Sequence, residues 1–215
     1  MESYDHYHNR KYMNRERLLA YIDQIRIIKK YTEPEYSILE IGPGNYYLNY
    51  ILKNIFNQSV VTLDHLPELR PDICTDIIDP DFELDKVFDV GLCFQVIEHI
   101  EWQFLKTAIK NLRKYIKKFL LISTPDTNYF IQFHLNTLYL KFKPLAYTIT
   151  LPRIGMNKNV FGSDHKWEIG IHNGNKIIKT KDIINEIFGR ENVVDDYRGR
   201  EFPGHHFFVL KGSAR

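Results

Sequence analysis

The stretch that most constrains this 215-residue chain is Glu40-Ile41-Gly42-Pro43-Gly44-Asn45. The short apolar run before it, Tyr36–Ile41, reads as a buried strand. After it, Leu48, Ile51, Leu52, Ile55 and Phe56 recur on one helical face. Strand, glycine turn and helix in immediate succession make one half of a crossover unit. Glycine lets the backbone approach a ligand with no Cβ in the way. A Gly-x-Gly turn alone serves a structural role as readily, so its neighbours decide its meaning.

Those neighbours repeat the unit. Ser59–Leu63 reads as a β-branched strand ending at Asp64, and a short strand at Asp72–Cys74 ends at Thr75-Asp76. Lys86–Phe94 is a further apolar strand. A helix is predicted over Glu101–Lys117 with Trp102, Leu105, Ala108, Ile109, Leu112 and Ile116 inward, and Phe119–Ser123 is the fifth strand, closed by Thr124-Pro125-Asp126. Upstream, Leu18, Leu19, Ile22, Ile25 and Ile28 predict an amphipathic helix from about Asn14 to Tyr31, broken at Thr32-Glu33-Pro34. Residues 127–179 lose this regularity, and a loop so long inside a compact domain predicts extra helices or a lid. A helix at Thr180–Phe188 and strands at Asn192–Tyr197 and His205–Leu210 follow, the last two fit for antiparallel pairing. Alternating strands and helices imply a doubly wound α/β fold: a mainly parallel, seven-stranded sheet with an insertion after the fifth strand. The whole chain is expected to be one domain, with an N-terminal helical segment at 1–32 and a lid-like insertion at 127–179.

An acidic strand end about one crossover after a glycine turn can accept both ribose hydroxyls of a nucleoside, and Asp64 stands there. Two details bear on which nucleoside. A pyrophosphate-binding turn wants a third glycine further into the helix, where this chain has Tyr46 and Tyr47. Glu40, just before the glycines, repels a pyrophosphate and attracts a cation. A sulfonium nucleoside bearing an ammonium group satisfies both constraints.

With these residues in place, positions 36–126 resemble the class I S-adenosylmethionine-dependent methyltransferases, in the branch that acts mostly on small molecules. The resemblance rests on ILEIGPGN, VVTLDH, CTDI, FDVGLCFQVIEHI and FLLISTP occurring in that order. It departs at Tyr46, where the family often has a third glycine. It implies a Rossmann-like fold and S-adenosyl-L-methionine as cofactor. On that reading Glu40 orients the methionine end, with Gly42 and Gly44 passing close. Asp64 binds the ribose and His65 flanks the adenine. Asp76 and Ile77 hold the adenine, Ile77 serving equally as an ordinary core side chain. Phe94 offers a carbonyl to the ammonium, with Gln95 beside it.

Methyl transfer is an in-line displacement that depends mainly on positioning. An oxygen acceptor usually needs a base, for which neutral histidine suits. His99 is the first candidate, against the competing reading that Glu98-His99 caps the following segment. His165, within Ser163-Asp164-His165-Lys166-Trp167-Glu168, is the second, against an anchoring turn with Trp167 buried. Some relatives hold a divalent ion with a Glu-x-x-Glu-His run. Here the run is Gln95-Val96-Ile97-Glu98-His99, which lacks one carboxylate, and no metal is expected. Tyr4, His6, Tyr7, His8 and Tyr12 could fold over the cofactor or form a tail. The aromatic stretch Tyr129–Tyr147 could be a dimer surface, a lid or a membrane-proximal patch.

Bulk properties narrow the partners. A formal net charge of +2 gives no long-range attraction to nucleic acid. Cys74 and Cys93 are expected to be buried free thiols, too few for a disulfide framework. No apolar run is long enough to cross a bilayer, and the polar, charged N-terminus is unlike a secretory signal, so a cytoplasmic address is expected. The expected function is methyl transfer to a small polar acceptor, at an oxygen of a sugar or surface-polysaccharide precursor, with a homodimer as the candidate assembly. The rivals are an RNA or protein methyltransferase, an NAD-dependent oxidoreductase, and a non-catalytic cofactor-binding partner subunit of the same fold.

Overall fold

The structure, a computed structural model, describes residues 12–135, 145–151, 162, 164–173 and 176–214. Tyr4, His6, Tyr7, His8 and Ser163 lie outside them. Among the described residues, seven strands form one sheet in the order β10-β11-β5-β4-β1-β2-β3. These are β1 (Ser37–Ile41), β2 (Ser59–Asp64), β3 (Ile73–Cys74), β4 (Phe88–Phe94), β5 (Ile116–Pro125), β10 (Val193–Arg198) and β11 (His205–Lys211). The pairs β1–β2, β1–β4, β2–β3 and β4–β5 are parallel, while β11 runs antiparallel to β5 and β10. The strand order reverses between β1 and β4. Crevices at the carboxyl ends of strands open at such a point.

Among the described residues, α1 (Arg15–Tyr31), α2 (Tyr47–Asn54) and α3 (Trp102–Lys114) flank the sheet. Because successive side chains on a strand face opposite ways, Ile38, Val90 and Leu92 pack against α1 and α2 through Tyr21, Ile27, Ile28, Leu48 and Leu52. Leu39, Ile41 and Cys93 pack the other way, against Leu105, Ala108, Ile109 and Leu112 of α3 and Ile183, Ile187 and Phe188 of a later π-helical turn. Each such fully buried aliphatic side chain contributes roughly 1.5–3 kcal/mol.

Four expectations need correction. The inward face of α1 is Ala20, Tyr21, Asp23, Gln24, Ile27 and Ile28, while Leu18 and Ile22 are exposed. Buried Asp23 turns the helix, because its carboxylate accepts the backbone N–H groups of Glu201 and Phe202 at 2.9 Å. The helix expected to reach Lys117 stops at Lys114, and Ile116 begins β5. Cys74 is exposed at the sheet edge; Cys93 is buried. In place of helices, the described part of the insertion carries two antiparallel ribbons, β6 (Tyr129–Leu135) with β7 (Leu145–Leu151) and β8 (His172–Asn173) with β9 (Lys176–Ile177).

Candidate active site

All eleven site residues singled out above line one cavity of about 1450 Å³ at the carboxyl ends of β1, β2 and β4: Glu40, Gly42, Gly44, Asp64, His65, Asp76, Ile77, Phe94, Gln95, His99 and His165. The cavity has two ends of different construction.

The first end is made of strand termini. Gly42 and Gly44 take φ of +66° and +55°, and Tyr46 begins α2 at φ +60°. A Cβ on Gly42 would lie 2.5 Å from Val96 Cγ2, so side-chain packing as well as backbone conformation requires glycine there. Tyr46 swings its ring away and donates its hydroxyl to Leu69 O at 2.8 Å. Glu40 is buried and accepts one side-chain hydrogen bond, from Asn49 Nδ2 at 2.9 Å. Burial pushes its carboxyl up to about 7. Asp64 is also buried, with Oδ1 accepting the Leu66 N–H at 2.9 Å and lying 3.3 Å from His65 Nδ1. The hydrogen bond to Asp64 raises the His65 imidazole above its usual range. Asp76 is exposed and accepts the Ile78 N–H, while Ile77 is buried and faces both core and cavity.

The second end is assembled across sequence. Glu98 is wholly buried after β4, and its backbone carbonyl accepts the N–H of Lys166 at 2.8 Å. That bond, with Ile169 N–H to Pro125 O and Trp167 Nε1–H to Ile100 O at 3.0 Å, seats segment 164–171 over the sheet edge. Trp167 is buried edge-on against Trp102 and anchors the segment, so it does not face the cavity as a stacking surface. Trp167 thus has the anchoring position, while Asp164 and His165 line the cavity.

Two imidazoles meet here, ring centroids 4.9 Å apart. His99 Nδ1 lies 2.8 Å from Asp164 Oδ2, and His165 Nδ1 lies 2.6 Å from the buried Glu168 Oε1. Their environments push them apart. Burial takes His99 down to about 4. Burial pulls His165 down too, but the hydrogen bond to Glu168 and the charges of Glu98, Glu168 and Asp164 outweigh it and raise His165 above its ordinary value. A Cβ on Gly162 would press within 2.5 Å of His165 Nε2; glycine leaves that nitrogen uncrowded from this side. Glu98, pushed up to about 8 by burial, takes at Oε1 a hydrogen bond from the Gln95 amide, oriented so that both its ends are satisfied, while Oε2 has no hydrogen-bond partner among the described residues. Gln95 itself sits at φ +58°. Ligand atoms of Glu98, His99 and His165 lie within 4.8 Å of one another, so these three could hold a divalent ion.

Sequence reasoning missed Arg17, Tyr21, Phe104, Gly162, Asp164 in its contact with His99, and His205 as cavity-lining residues. The N-terminal half of α1 forms one wall, where Tyr21 donates its hydroxyl to Asn45 Oδ1 at 2.9 Å. Tyr12, one of five N-terminal aromatics noted above, reaches the cavity.

No protein-family model and no curated protein matches the sequence. Solved structures match it in shape. The glycopeptide N-methyltransferase MtfA, crystallised with S-adenosyl-L-methionine, aligns over 89% of this chain and 93% of its own at TM-score 0.56 and 12% identity. An S-adenosylmethionine-dependent methyltransferase from Clostridium acetobutylicum aligns over 95% and 94% at TM-score 0.53 and 12% identity. The fold is that of the class I S-adenosylmethionine-dependent methyltransferases. A Burkholderia thailandensis 1,6-didemethyltoxoflavin-N1-methyltransferase, solved with 1,6-didemethyltoxoflavin and S-adenosylhomocysteine, extends the likeness to a structure holding both ligands, over 92% and 78% at TM-score 0.53 and 10% identity. In this methyltransferase fold the first end of the cavity belongs to the strands next to the topological switch, and the second to the segment that follows the fifth strand.

Proposed function

We propose that the chain is an S-adenosylmethionine-dependent methyltransferase acting on an oxygen of a small, hydroxyl-rich acceptor, such as a sugar or a surface-polysaccharide precursor. One observation carries the reading: a single cavity joins two buried strand-end carboxylates, Glu40 and Asp64, to two imidazoles each backed by a carboxylate. Glu40, desolvated and held by one amide, is a poor neighbour for phosphates and a good one for a cation, which would return it to its ionised form. Asp64 would accept the ribose hydroxyls. When bound, S-adenosylmethionine supplies an electrophilic methyl group on sulfur. His165, the more basic of the two imidazoles, takes the proton from the acceptor hydroxyl as the carbon–oxygen bond forms and the carbon–sulfur bond breaks. His99 stays neutral at physiological pH and helps fix the acceptor.

On a second reading Glu98, His99 and His165 would hold a divalent ion, which would supply Lewis-acid activation of the acceptor hydroxyl. Glu98 Oε2, buried with no hydrogen-bond partner among the described residues, favours it. Loss of turnover on chelation, restored by Mg²⁺ or Mn²⁺, would select this route; insensitivity selects the base.

Calorimetry with S-adenosylhomocysteine and with NAD tests the cofactor first. Micromolar binding of S-adenosylhomocysteine and none of NAD is expected; the reverse removes the proposal in favour of an oxidoreductase. Methyl transfer from isotopically labelled S-adenosylmethionine to a panel of hydroxylated and aminated acceptors then tests the reaction. Cofactor binding without transfer to any of them would leave a non-catalytic binding subunit.

A further inference from the structure

The wall of the cavity formed by α1 carries a charge that the proposed chemistry leaves unused. Arg17 stands in the first turn of α1, where its backbone N–H donates to the side chain of the N-cap residue Asn14 at 2.8 Å. Its side chain is half-buried and lines the cavity, with the guanidinium over the Tyr12 ring, 4.5 Å from the ring centre. A guanidinium covered on one face by an aromatic ring still presents its donor edge to a planar anion. Arg113 and Arg198, also half-buried, each donate to a carbonyl, amide or carboxylate oxygen. Arg17 has no such hydrogen bond and no ion pair from its side chain among the described residues. Withdrawing a cation from water without a partner costs free energy that an anion entering the cavity would offset.

The surroundings of Arg17 say where that anion sits. Its charge acts on Glu98 and on His205, a buried imidazole that also lines the cavity, whereas the cation that acts on Glu40 is Lys53. Arg17 therefore faces the end that holds the two imidazoles. The carboxylates of Asp164 and Glu168 there are already engaged by His99 and His165. Lys166, next to His165, adds an exposed cation to the cavity lining. We propose that Arg17 receives an anionic group on the acceptor, a carboxylate or a phosphate, so that the acceptor is an acidic hydroxylated compound such as a uronic acid or a sugar phosphate. This rests on the methyltransferase reading and narrows its substrate. An in-line displacement needs the acceptor held at a second point besides the reacting hydroxyl, and a two-pronged bond to a guanidinium supplies one. The cofactor brings an anion of its own, the methionine carboxylate, but its methionine end is assigned to Glu40, away from the groups on which Arg17 acts.

Calorimetry on the full chain saturated with S-adenosylhomocysteine tests this, with matched neutral and acidic sugars as probes: glucose against glucuronate and glucose phosphate, and galactose against galacturonate and galactose phosphate. The acids should bind about tenfold or more tighter than their neutral counterparts, and the difference should shrink as salt is raised. Whichever acid binds tighter identifies the group as carboxylate or phosphate. Arg17→Gln should bring the acids down to the level of the neutral sugars while leaving S-adenosylhomocysteine affinity and the circular dichroism spectrum as they were. Arg17→Lys keeps the charge without the two-pronged edge, and should retain part of the preference. Equal binding of acids and neutral sugars by a parent that binds S-adenosylhomocysteine, or a preference that survives Arg17→Gln, would overturn the proposal. Loss of S-adenosylhomocysteine affinity in Arg17→Gln, with the acid preference intact, would overturn it in favour of the methionine carboxylate. Each of these outcomes leaves the methyltransferase reading standing, whereas a parent that binds no S-adenosylhomocysteine removes that reading and this one together.

Discussion

The two ends of the cavity differ in how they are made. The end proposed for the cofactor consists of residues at or just after strand termini, Glu40, Gly42, Gly44, Asp64 and Asp76, each placed by the strand that precedes it. At the acceptor end, His99 and Glu98 come from the β4 exit and Asp164, His165 and Glu168 from a segment some 65 residues later, joined by the Lys166–Glu98 backbone bond. An end built from strand termini survives as long as the sheet does. An end built from a docked segment depends on Trp167 and Glu168 staying buried, and can change without disturbing the sheet. Binding and chemistry should therefore be separable by mutation.

The sharpest separation is expected at His165. Replacing it with Ala should lower turnover by roughly 10²–10³-fold, the usual contribution of a positioned acid–base group, with cofactor affinity nearly unchanged. Turnover and S-adenosylhomocysteine calorimetry on the same preparation decide it. A parallel loss of affinity would mean that the two ends act as one. Asp64→Ala should do the converse: loss of a charged acceptor for the ribose hydroxyls weakens cofactor binding by roughly ten- to a hundredfold, while turnover at saturating cofactor falls far less.

Glu40 offers a smaller test with opposite signs in stability and function. Its carboxyl has an ordinary value of 4.5 and is raised to about 7 in the folded, cofactor-free protein. Between those values the folded state keeps a proton that the unfolded chain has released. The stability this contributes is fully present below 4.5 and is lost as pH rises through about 7. Glu40→Gln removes the loss, and should stabilise the cofactor-free protein at pH 8 by about 1–3 kcal/mol while weakening cofactor binding. Denaturant melts at several pH values read the first effect. A variant less stable than the parent at high pH would show that Glu40 is ionised and satisfied without the cofactor.

The same contrast explains what the sequence made legible. Short, nearly continuous apolar runs around a glycine turn, repeated with acidic strand ends, are a local pattern, so the sheet, its order of elements and the end proposed for the cofactor could be read from consecutive residues. The face of α1 could not, because Asp23 is drawn inward by backbone N–H groups of Glu201 and Phe202, almost 180 residues away, and no periodicity carries that information. The insertion was expected to hold extra helices or a lid, and its ribbons were not foreseen. Ile131 and Phe133 flank Gln132, and Ile149 and Leu151 flank Thr150, but the apolar row is the exposed one, the reverse of the pattern that marks a half-buried strand. His99 and His165 were each visible as candidates, but their opposite pKa directions arise because burial outweighs Asp164 at His99, while at His165 Glu168 and the neighbouring carboxylates outweigh burial, and both balances exist only after the segment docks.

Glu168 provides the finest test. The imidazole of His165 must be neutral to accept a proton, so turnover should rise with pH along a limb whose midpoint lies above the ordinary histidine value of 6.5. Glu168→Gln keeps the shape and an acceptor oxygen for Nδ1–H but removes the negative charge that favours the imidazolium. The limb should move to lower pH, with the plateau at high pH reduced only a few-fold and cofactor affinity untouched. Gln is close in volume, and thermal melts at the same pH values would show whether the segment stays docked. A limb that stays in place while the plateau falls would assign Glu168 to holding the segment and return the role of base to His99. In that case the pH profile should follow Asp164→Asn, since Asp164 sits on Nδ1 of that ring.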